Sequence, residues 1–461
     1  MYIFVRVALW FLAISSITTL SFSLQAQSLQ SKLIAQQNAS ARSVSETVSL
    51  AIASHPKLQA SLSDLNVRRQ QLKKLKSEFF PQVSVGLGIG REDSNNSATS
   101  TTTGLASEEL ERREASIFVN QMLFDGFETH WLRESELNGL DAANFAIQNL
   151  ANEVALKAIE SHLAVAKNNR VLNDNIENLK AHERIAKNIG IRARSGKDDR
   201  AKVSQISARL SLSLANVEAA KNNVMQSNAD YFRHVGESPG RELHFQNKLF
   251  RMPENQSDFI EEVLRLNPFV ASNVKVVQSF VAAEQAARHT DFPTLHIESG
   301  ASWNDNLDGV KGRNNDAFIM LRLRYDLFAG GGDKAEKGLA KYRSQQSQYD
   351  LDDVRRDIRR DAEQAWFSYQ SSARRVSFLQ DYTESAQTTL RAYVKQFNIG
   401  QRSLIDLLDA ENELLRAKRQ LVDAQNDLYL SKYQIMSLKG QLLSVVSAEA
   451  LTMLDGMLGE G

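Results

Sequence analysis

The sequence predicts a mainly helical protein with a membrane β-barrel, built as a tandem duplicated half. Three observations predict this fold class: prolines and glycines that recur at fixed offsets, two proline-free runs long enough for very long helices, and short segments in which apolar and polar residues alternate. A fixed repeat offset is the sequence sign of a duplicated architecture. The change from helical to strand periodicity separates the two kinds of element.

The composition narrows the classes of function. The 461 residues include 55 basic and 55 acidic side chains and no cysteine. A balanced charge gives no electrostatic reason to expect a nucleic acid partner. Without cysteine, the chain has no thiol nucleophile, disulfide, cysteine-ligated zinc or lipobox. The sequence also lacks an arrangement of nucleophile, base and orienting group, and it predicts no enzyme activity, no cofactor and no metal site.

The first 26 residues predict export. A positive charge at Arg6 precedes the apolar run Val7–Leu24, and the small residue Ala26 follows. This order is typical of a cleaved secretory signal, although a run of this length could also span a bilayer as an uncleaved anchor. We expect cleavage at Ala26. Since later apolar runs are too short to cross a membrane as a helix, a membrane span must be built from strands.

Proline and glycine positions define the duplication. Two prolines 25 residues apart recur 212 residues later, and a Leu-Phe-x-Gly segment and two further glycines recur at an offset of 204. The matching pairs are Pro56 and Pro268, Pro81 and Pro293, Gly126 and Gly330, Gly196 and Gly400, and Gly236 and Gly440. We therefore expect a first structural repeat over residues 27–240 and a second over 241–461.

Four segments alternate in the manner of half-buried strands. Between residues 319 and 327 the odd-numbered positions are apolar, whereas Arg322 and Arg324 lie on the other face. We expect polar loops at Arg91–Glu114 and Asn304–Asp316, between paired strands. The expected strands are at about 83–90, 116–124, 295–303 and 317–327.

Two kinds of sheet fit this alternation. A soluble sheet with one wet face shows the same pattern. Four strands of about ten residues with long polar loops, in an exported chain, favour an outer-membrane barrel instead. Four strands cannot close a barrel, so several chains must contribute to one. Arg322 and Arg324 would then line the barrel lumen.

The proline-free runs predict two pairs of long helices. These are at about 131–194 with 198–236, and at about 334–397 with 403–440. From Ser403 a heptad repeat places large apolar residues on one side of a seam and mostly small residues on the other, as in closely packed coiled coils. The pattern recurs 204 residues earlier. Gly196 and Gly400 lie between the helices of each pair, where we expect the hairpins to reverse.

In these features the sequence resembles the TolC-type outer-membrane efflux protein family, over essentially the whole mature chain. The resemblance rests on the His-Pro, Asn-Pro and Phe-Pro pairs of the two halves and, above all, on Phe397–Ala410, whose sequence is FNIGQRSLIDLLDA. It implies a homotrimer in the outer membrane of a Gram-negative cell, extending into the periplasm. Each chain would give four strands to a twelve-stranded barrel and its helices to a periplasmic tunnel.

The same resemblance places a candidate site at the periplasmic ends of the helical hairpins. Asp406 and Asp409 are three residues apart on one helical face, and in a trimer they would form a constriction ring that attracts cations. Arg402 would be the basic residue that keeps this entrance closed. Without the resemblance, these carboxylates would be interpreted as a solvated helix face.

Two departures from the family pattern change the expected gate network. Phe397 replaces a tyrosine and cannot donate a hydrogen bond. Lys202 stands where the family has an acidic partner, and a lysine cannot pair with Arg402. We therefore expect a rewired closure that involves Asp198 or Asp199.

Three functions remain open. The first is a passive exit duct of a type I protein secretion system, with a periplasmic adaptor (membrane fusion) protein and an inner-membrane ABC transporter or other pump as partners and outer-membrane lipid around it. The second is the outer-membrane channel of a multidrug efflux pump. The third, from another class, is a periplasmic coiled-coil adaptor or adhesin. Two features favour the first function: the segment Gly-x-Arg-Ser-x-Ile-Asp-Leu-Leu-Asp and the absence of a lipobox cysteine.

Overall fold

The computed structural model describes residues 42–96, 108–196, 199–240, 243 and 252–459. The expected signal segment, residues 1–26, and the candidate gate residue Asp198 lie outside the described residues. The elements are α1 Val44–Ser54, α2 Pro56–Ser77, β1 Gln82–Ser94, β2 Glu108–Phe124, α3 Glu128–Arg194, α4 Arg200–Val235, α5 Gln256–Leu266, α6 Pro268–Ala286, β3 Thr294–Asp305, β4 Arg313–Arg324, α7 Gly332–Asn398, α8 Leu404–Leu438, α9 Leu442–Val446 and α10 Ala448–Gly459.

The order of elements shows the duplication directly. Each half runs through two shorter helices, two strands, one very long helix and one long helix. The very long helices α3 and α7 both contain 67 residues, and their partners α4 and α8 contain 36 and 35. The predicted fold class, mainly helical with two strands and long helices in each half, is confirmed. Among the described helices, none combines the length and apolar character that crossing a membrane requires.

The glycine pairs of the two halves share one backbone conformation. Each reverses or ends an element with a positive φ, which glycine adopts without the steric cost that a Cβ atom would add. The φ values are 71° and 65° at Gly126 and Gly330, 73° and 80° at Gly196 and Gly400, and 84° and 69° at Gly236 and Gly440. The offset of 204 in the sequence therefore corresponds to equivalent positions in the fold.

The four strands form one antiparallel sheet in the order β1-β2-β3-β4. They extend further into polar sequence than expected, because β1 continues to Ser94 and β2 already begins at Glu108. Opposite charges face each other across the two strands there: Arg112 lies 2.8 Å from Glu92, and Arg91 lies 3.6 Å from Glu109. Such cross-strand pairs stabilise a ladder without apolar residues.

The second hairpin differs from expectation at both ends. The connection between β3 and β4 covers only residues 306–312 instead of Asn304–Asp316. β4 ends at Arg324, before the expected residue 327, where Arg324 pairs with Thr294 at the start of β3. The next position on the partner strand is Pro293, and proline has no N–H to continue the ladder.

The described chain divides into two compact units. One contains residues up to 58, 150–261 and 361–456. In this unit the small seam residues are buried in both halves, whereas the large seam residues Leu421 and Leu428 are half-buried. The buried small positions are Ala410, Ala417, Ala424 and Ser431 in α8, and Ser213, Ala220 and Ser227 in α4.

The other unit contains residues 59–149, 262–360 and 457–459, and it includes the sheet. Its helices are joined by polar contacts: the hydroxyl of Ser135 donates to the carbonyl of Ser279 at 2.9 Å, and Lys275 lies 2.9 Å from Asp141. Phe124, Phe127 and Phe292 pack edge to face where β2 leads into α3, with ring centroids 5.1 to 6.3 Å apart. This aromatic cluster fixes the change from strand to helix.

Candidate functional site

The candidate site lies in the first of the two units, where the two helical hairpins turn. The second helix of each hairpin begins with the same kind of cap. Asp199 accepts a hydrogen bond from the backbone N–H of Lys202 at 2.9 Å, and Ser403 accepts one from that of Asp406 at 3.1 Å. Asp199 and Ser403 are related by the repeat offset of 204. Side chains of this type satisfy N–H groups that the first turn of a helix leaves unpaired.

Asp406 is itself part of the cap of α8. Its carboxylate accepts a hydrogen bond from the backbone N–H of Ser403 at 3.4 Å, which completes a capping box. A carboxylate in the first turn also interacts favourably with the helix dipole. The predicted entrance residue Asp406 is therefore held at a fixed place by the local sequence Ser403–Asp406.

An apolar cluster lies beneath the two turns. Its buried members come from all four long helices and are Ile189, Ile206, Phe397, Leu404, Leu407 and Leu408. The ring of Phe397 is buried in this cluster, with the guanidinium of Arg192 5.6 Å from its centroid. Phe397, predicted as a gate residue, thus packs in the core that joins the hairpin ends.

Arg402 is held by residues of its own hairpin. Its Nε atom donates to the side-chain oxygen of Gln396 at 3.0 Å, its guanidinium stacks 4.1 Å from the ring centroid of Tyr393, and Nη1 lies 3.8 Å from the Asp406 carboxylate. The structure thus brings together Arg402 and Asp406, two of the residues predicted for the periplasmic entrance. Tyr393 and Gln396 were not predicted. Tyr393 is an aromatic residue one helical turn before Phe397, which is the signal that could have identified it.

Asp409 connects the two hairpins. Its carboxylate lies 3.3 Å from the guanidinium of Arg209, so that α8 and α4 are joined by an ion pair. The Asp409 side chain is 61% exposed, and an exposed pair of this kind contributes about 0–1 kcal/mol. Arg209 was not predicted, because no repeat offset or spacing in the sequence relates it to Asp409.

A second group of ion pairs, partly buried, lies further along the same helices. Lys418 on α8 is 3.2 Å from Asp174 and 3.0 Å from Glu177, both on α3. Burial raises the pKa of the nearby Glu411 carboxyl, although Arg184 and Lys418 oppose this shift. Burial also lowers the pKa of His182, whose Nδ1 atom is 2.9 Å from the carbonyl of Asn178.

The remaining predicted residues, Arg322 and Arg324, belong to the other unit. Arg322 forms an ion pair with Glu298 on the neighbouring strand, in which its Nε and Nη2 atoms both lie 2.9 Å from the carboxylate. Arg324 lies 3.5 Å from Asp326. Both arginines are on the sheet face opposite Ile319. In the part of the chain that the structure describes, no cluster of His, Asp or Glu could hold a metal ion.

Comparisons with known proteins identify the family of the chain. A family model described as outer membrane efflux protein matches residues 47–236 and 259–441, one segment in each half. The outer membrane efflux protein BepC of Brucella suis is 24% identical over 368 residues, which cover 78% of this chain and 76% of BepC. The alkaline protease secretion protein AprF of Pseudomonas aeruginosa is 23% identical over 402 residues, which cover 84% of this chain and 82% of AprF.

The fold is also that of a solved outer-membrane channel. The crystal structure of the Campylobacter jejuni CmeC outer membrane channel matches with a TM-score of 0.78, covering 90% of this chain and 89% of CmeC. The sequence identity is 14%. At this identity the match describes the fold of the chain.

Proposed function

Since this chain belongs to the outer membrane efflux protein family, we propose that it is the passive exit duct of a type I protein secretion system. The family is one of outer-membrane channels that extend into the periplasm. The observation that carries the proposal is the pair of carboxylates at the turn of the second hairpin, half-exposed Asp406 and exposed Asp409. Carboxylates at the mouth of a pore select for cations and control entry. The family match favours a channel over the adaptor or adhesin.

We propose that three chains assemble one barrel. In a single chain, β1 and β4 form the two edges of the sheet, and open edges in a membrane must be paired. One face of these strands exposes large apolar side chains that suit contact with lipid, with exposed fractions from 61 to 83% at Val83, Val85, Leu87, Ile89, Ile319, Leu321 and Leu323. Arg322 and Arg324 would face the lumen. Native mass spectrometry of the detergent-solubilised protein should give the mass of three chains.

In such a trimer, three copies of Asp406 and Asp409 would surround one axis at the hairpin ends. The carboxylates repel one another, and closure therefore needs other contacts to hold the ring. Arg402, bound to Tyr393 and Gln396, and Arg209, bound to Asp409, supply positive charge beside each copy. We propose that these two arginines, with Asp198, Asp199, Lys202 and the packed ring of Phe397, form the gate network of the closed entrance.

The proposed partners would supply the energy for transport. The chain has no Walker or other nucleotide-binding motif, and we propose that an inner-membrane ABC transporter acts on it through a periplasmic adaptor. AprF, a relative named for alkaline protease secretion, supports protein as the cargo. BepC, a relative named as an outer membrane efflux protein, supports the alternative of drug efflux.

A deletion strain separates the two cargo classes. We expect that loss of the gene removes one or a few proteins from the culture medium, as measured by mass spectrometry, and that the wild-type gene restores them. Tolerance to apolar drugs should remain unchanged. Unchanged secreted proteins together with increased drug sensitivity would instead assign the channel to efflux.

A further inference from the structure

A groove runs along α4 and α8 beside α3, next to the candidate site. Its α8 wall carries Asp409, Asn412, Arg416 and Arg419, and its α4 wall carries Arg209 and Asn216. From residue 409 to residue 419 this wall is about 15 Å long at 1.5 Å per residue. The groove is thus elongated, and polar side chains line it on both walls.

The groove has an excess of positive charge. Two carboxylates line it, and each forms an ion pair with a basic side chain. Asp409 lies 3.3 Å from Arg209, and Asp174 lies 3.2 Å from Lys418. Arg416 and Arg419 are both exposed, and neither forms an ion pair with a carboxylate of the described residues. Arg416 also interacts electrostatically with the Tyr382 hydroxyl, a much weaker acceptor than a carboxylate. Both guanidinium groups can therefore bind a carboxylate ligand.

The chemistry of these side chains specifies the ligand class. A guanidinium group is a planar fork of donors that binds a carboxylate through two parallel hydrogen bonds. Arg416 and Arg419 are three residues apart and share one helical face. Asparagine amides such as those of Asn216 and Asn412 both donate and accept, which suits the backbone of a peptide.

We propose that this groove binds an acidic segment of an extended peptide, with peptide carboxylates on Arg416 and Arg419. The proposal rests on the proposed function for the source of the peptide, which is an unfolded cargo chain that has passed the carboxylates at the hairpin end. Asp409 and Arg416 are about 10 Å apart along α8. An extended peptide covers this distance with about three residues. One segment can therefore contact both the carboxylate of Asp409 and the guanidinium of Arg416.

A direct binding measurement tests the groove. The probe is a fluorescent peptide of about twelve residues with alternating Glu and Gly, added to the detergent-solubilised full-length protein and followed by anisotropy. The Arg416→Gln/Arg419→Gln variant should bind it at least about tenfold more weakly, the loss expected for a charge-assisted contact. A Gln-Gly peptide should not bind.

The chain offers a matched control in Arg356 and Arg359. These arginines are also three residues apart, exposed and without an ion pair among the described side chains, and they lie on α7 outside the groove. Arg356→Gln/Arg359→Gln makes the same change in net charge and should leave the affinity unchanged. Equal weakening by both double variants would show non-specific attraction and overturn the proposal.

Two further outcomes would also overturn it. Equal affinity of the wild type and the Arg416→Gln/Arg419→Gln variant would remove the arginines from the site. Absence of peptide binding, with earlier heat dissociation of the variant, would assign the arginines to contacts between copies of the chain. Single-channel recording on the same preparation separates the hypotheses: conduction without peptide binding rejects only the groove, and peptide binding without conduction rejects only the duct.

Discussion

Residues at the start of α8 combine a structural and an electrostatic role. Asp406 completes the capping box with Ser403 and is also half-exposed at the hairpin end. The equivalent position in the first repeat is Lys202, which contributes only its backbone N–H to Asp199. The sequence could predict that the two turns correspond, because their glycines share the offset of 204. It could not predict that the candidate gate residue Asp199 caps α4, or that the candidate entrance residue Asp406 completes the cap of α8.

Substitution of Asp406 should separate these two roles. Asp406→Ala removes both the charge and the acceptor of the Ser403 N–H, and we expect a loss of about 0.5–1 kcal/mol in stability. Asp406→Asn retains an acceptor oxygen and should lose less. Thermal unfolding followed by circular dichroism measures both variants. An equal loss in both would mean that the capping contact contributes nothing.

His182 gives a pH-dependent stability. Burial lowers its pKa from the ordinary value of 6.5, and its Nε2 atom has no hydrogen-bond partner among the described residues. Below about pH 6.5 the unfolded chain takes up a proton that the folded chain resists, so stability falls with falling pH by up to about 1.4 kcal/mol per pH unit. His182→Gln should reduce this slope between pH 7 and 5. The same substitution at exposed His130 should not, and equal slopes for both variants would contradict a buried neutral His182.

Phe127 has a backbone conformation that the sequence repeat did not predict for a non-glycine residue. It is equivalent to Gly331 at the offset of 204, and both have positive φ values, 68° and 88°. This conformation costs a non-glycine residue about 1–2 kcal/mol. The Phe127 ring lies 5.1 Å from that of Phe124 and 6.0 Å from that of Phe292, and each such pair contributes about 0.5–1.5 kcal/mol. The aromatic contacts offset the strain, but the contact with Phe292 joins residues that are distant in sequence.

Among the elements, the long helices were more predictable than the strands. Helix ends are marked locally by glycine and capping residues, such as Gly400 and Ser403. Strand ends depend on the partner strand instead. The charged residues Glu92 and Arg112 indicated a loop in the sequence but pair across β1 and β2. The pairing of Arg209 with Asp409 could not be predicted either, because it depends on how the separate helices α4 and α8 pack.

Two alanine substitutions of glycine should have opposite effects. Gly400 has a φ of 80° with open space around its Cα, so Gly400→Ala should cost about 1–2 kcal/mol from backbone strain alone. Gly338 lies inside α7, also with open space, and Gly338→Ala should stabilise the protein by about 0.5–1 kcal/mol. Chemical denaturation in detergent compares the two variants. Destabilisation by both would contradict the assigned difference in backbone conformation.

For the whole molecule, the sequence alone indicated the duplicated architecture and the outer membrane. The recurring prolines and glycines are the evidence for the duplication, and the residues of the second hairpin are the main evidence for the family resemblance. Cargo could not be inferred in this way. A duct of the kind proposed, which contacts its cargo only in passing, needs charged walls rather than a shaped pocket, and an exposed charge such as Arg416 has no sequence signature of its own.

The most direct test of the duct is single-channel conductance in a planar bilayer. Wild type is compared with Asp406→Asn/Asp409→Asn, in which both carboxylates at the hairpin end lose their charge. The control is Asp427→Asn, since Asp427 lies on the same helix about 27 Å from Asp409 and pairs with Arg375 at 3.3 Å.

We expect small, cation-selective currents in the wild type that multivalent cations block from the periplasmic side. The double variant should lose both the block and much of the selectivity, whereas Asp427→Asn should behave as the wild type. A channel whose block is the same in all three proteins would contradict an entrance at Asp406 and Asp409, and the absence of any channel would contradict the duct itself.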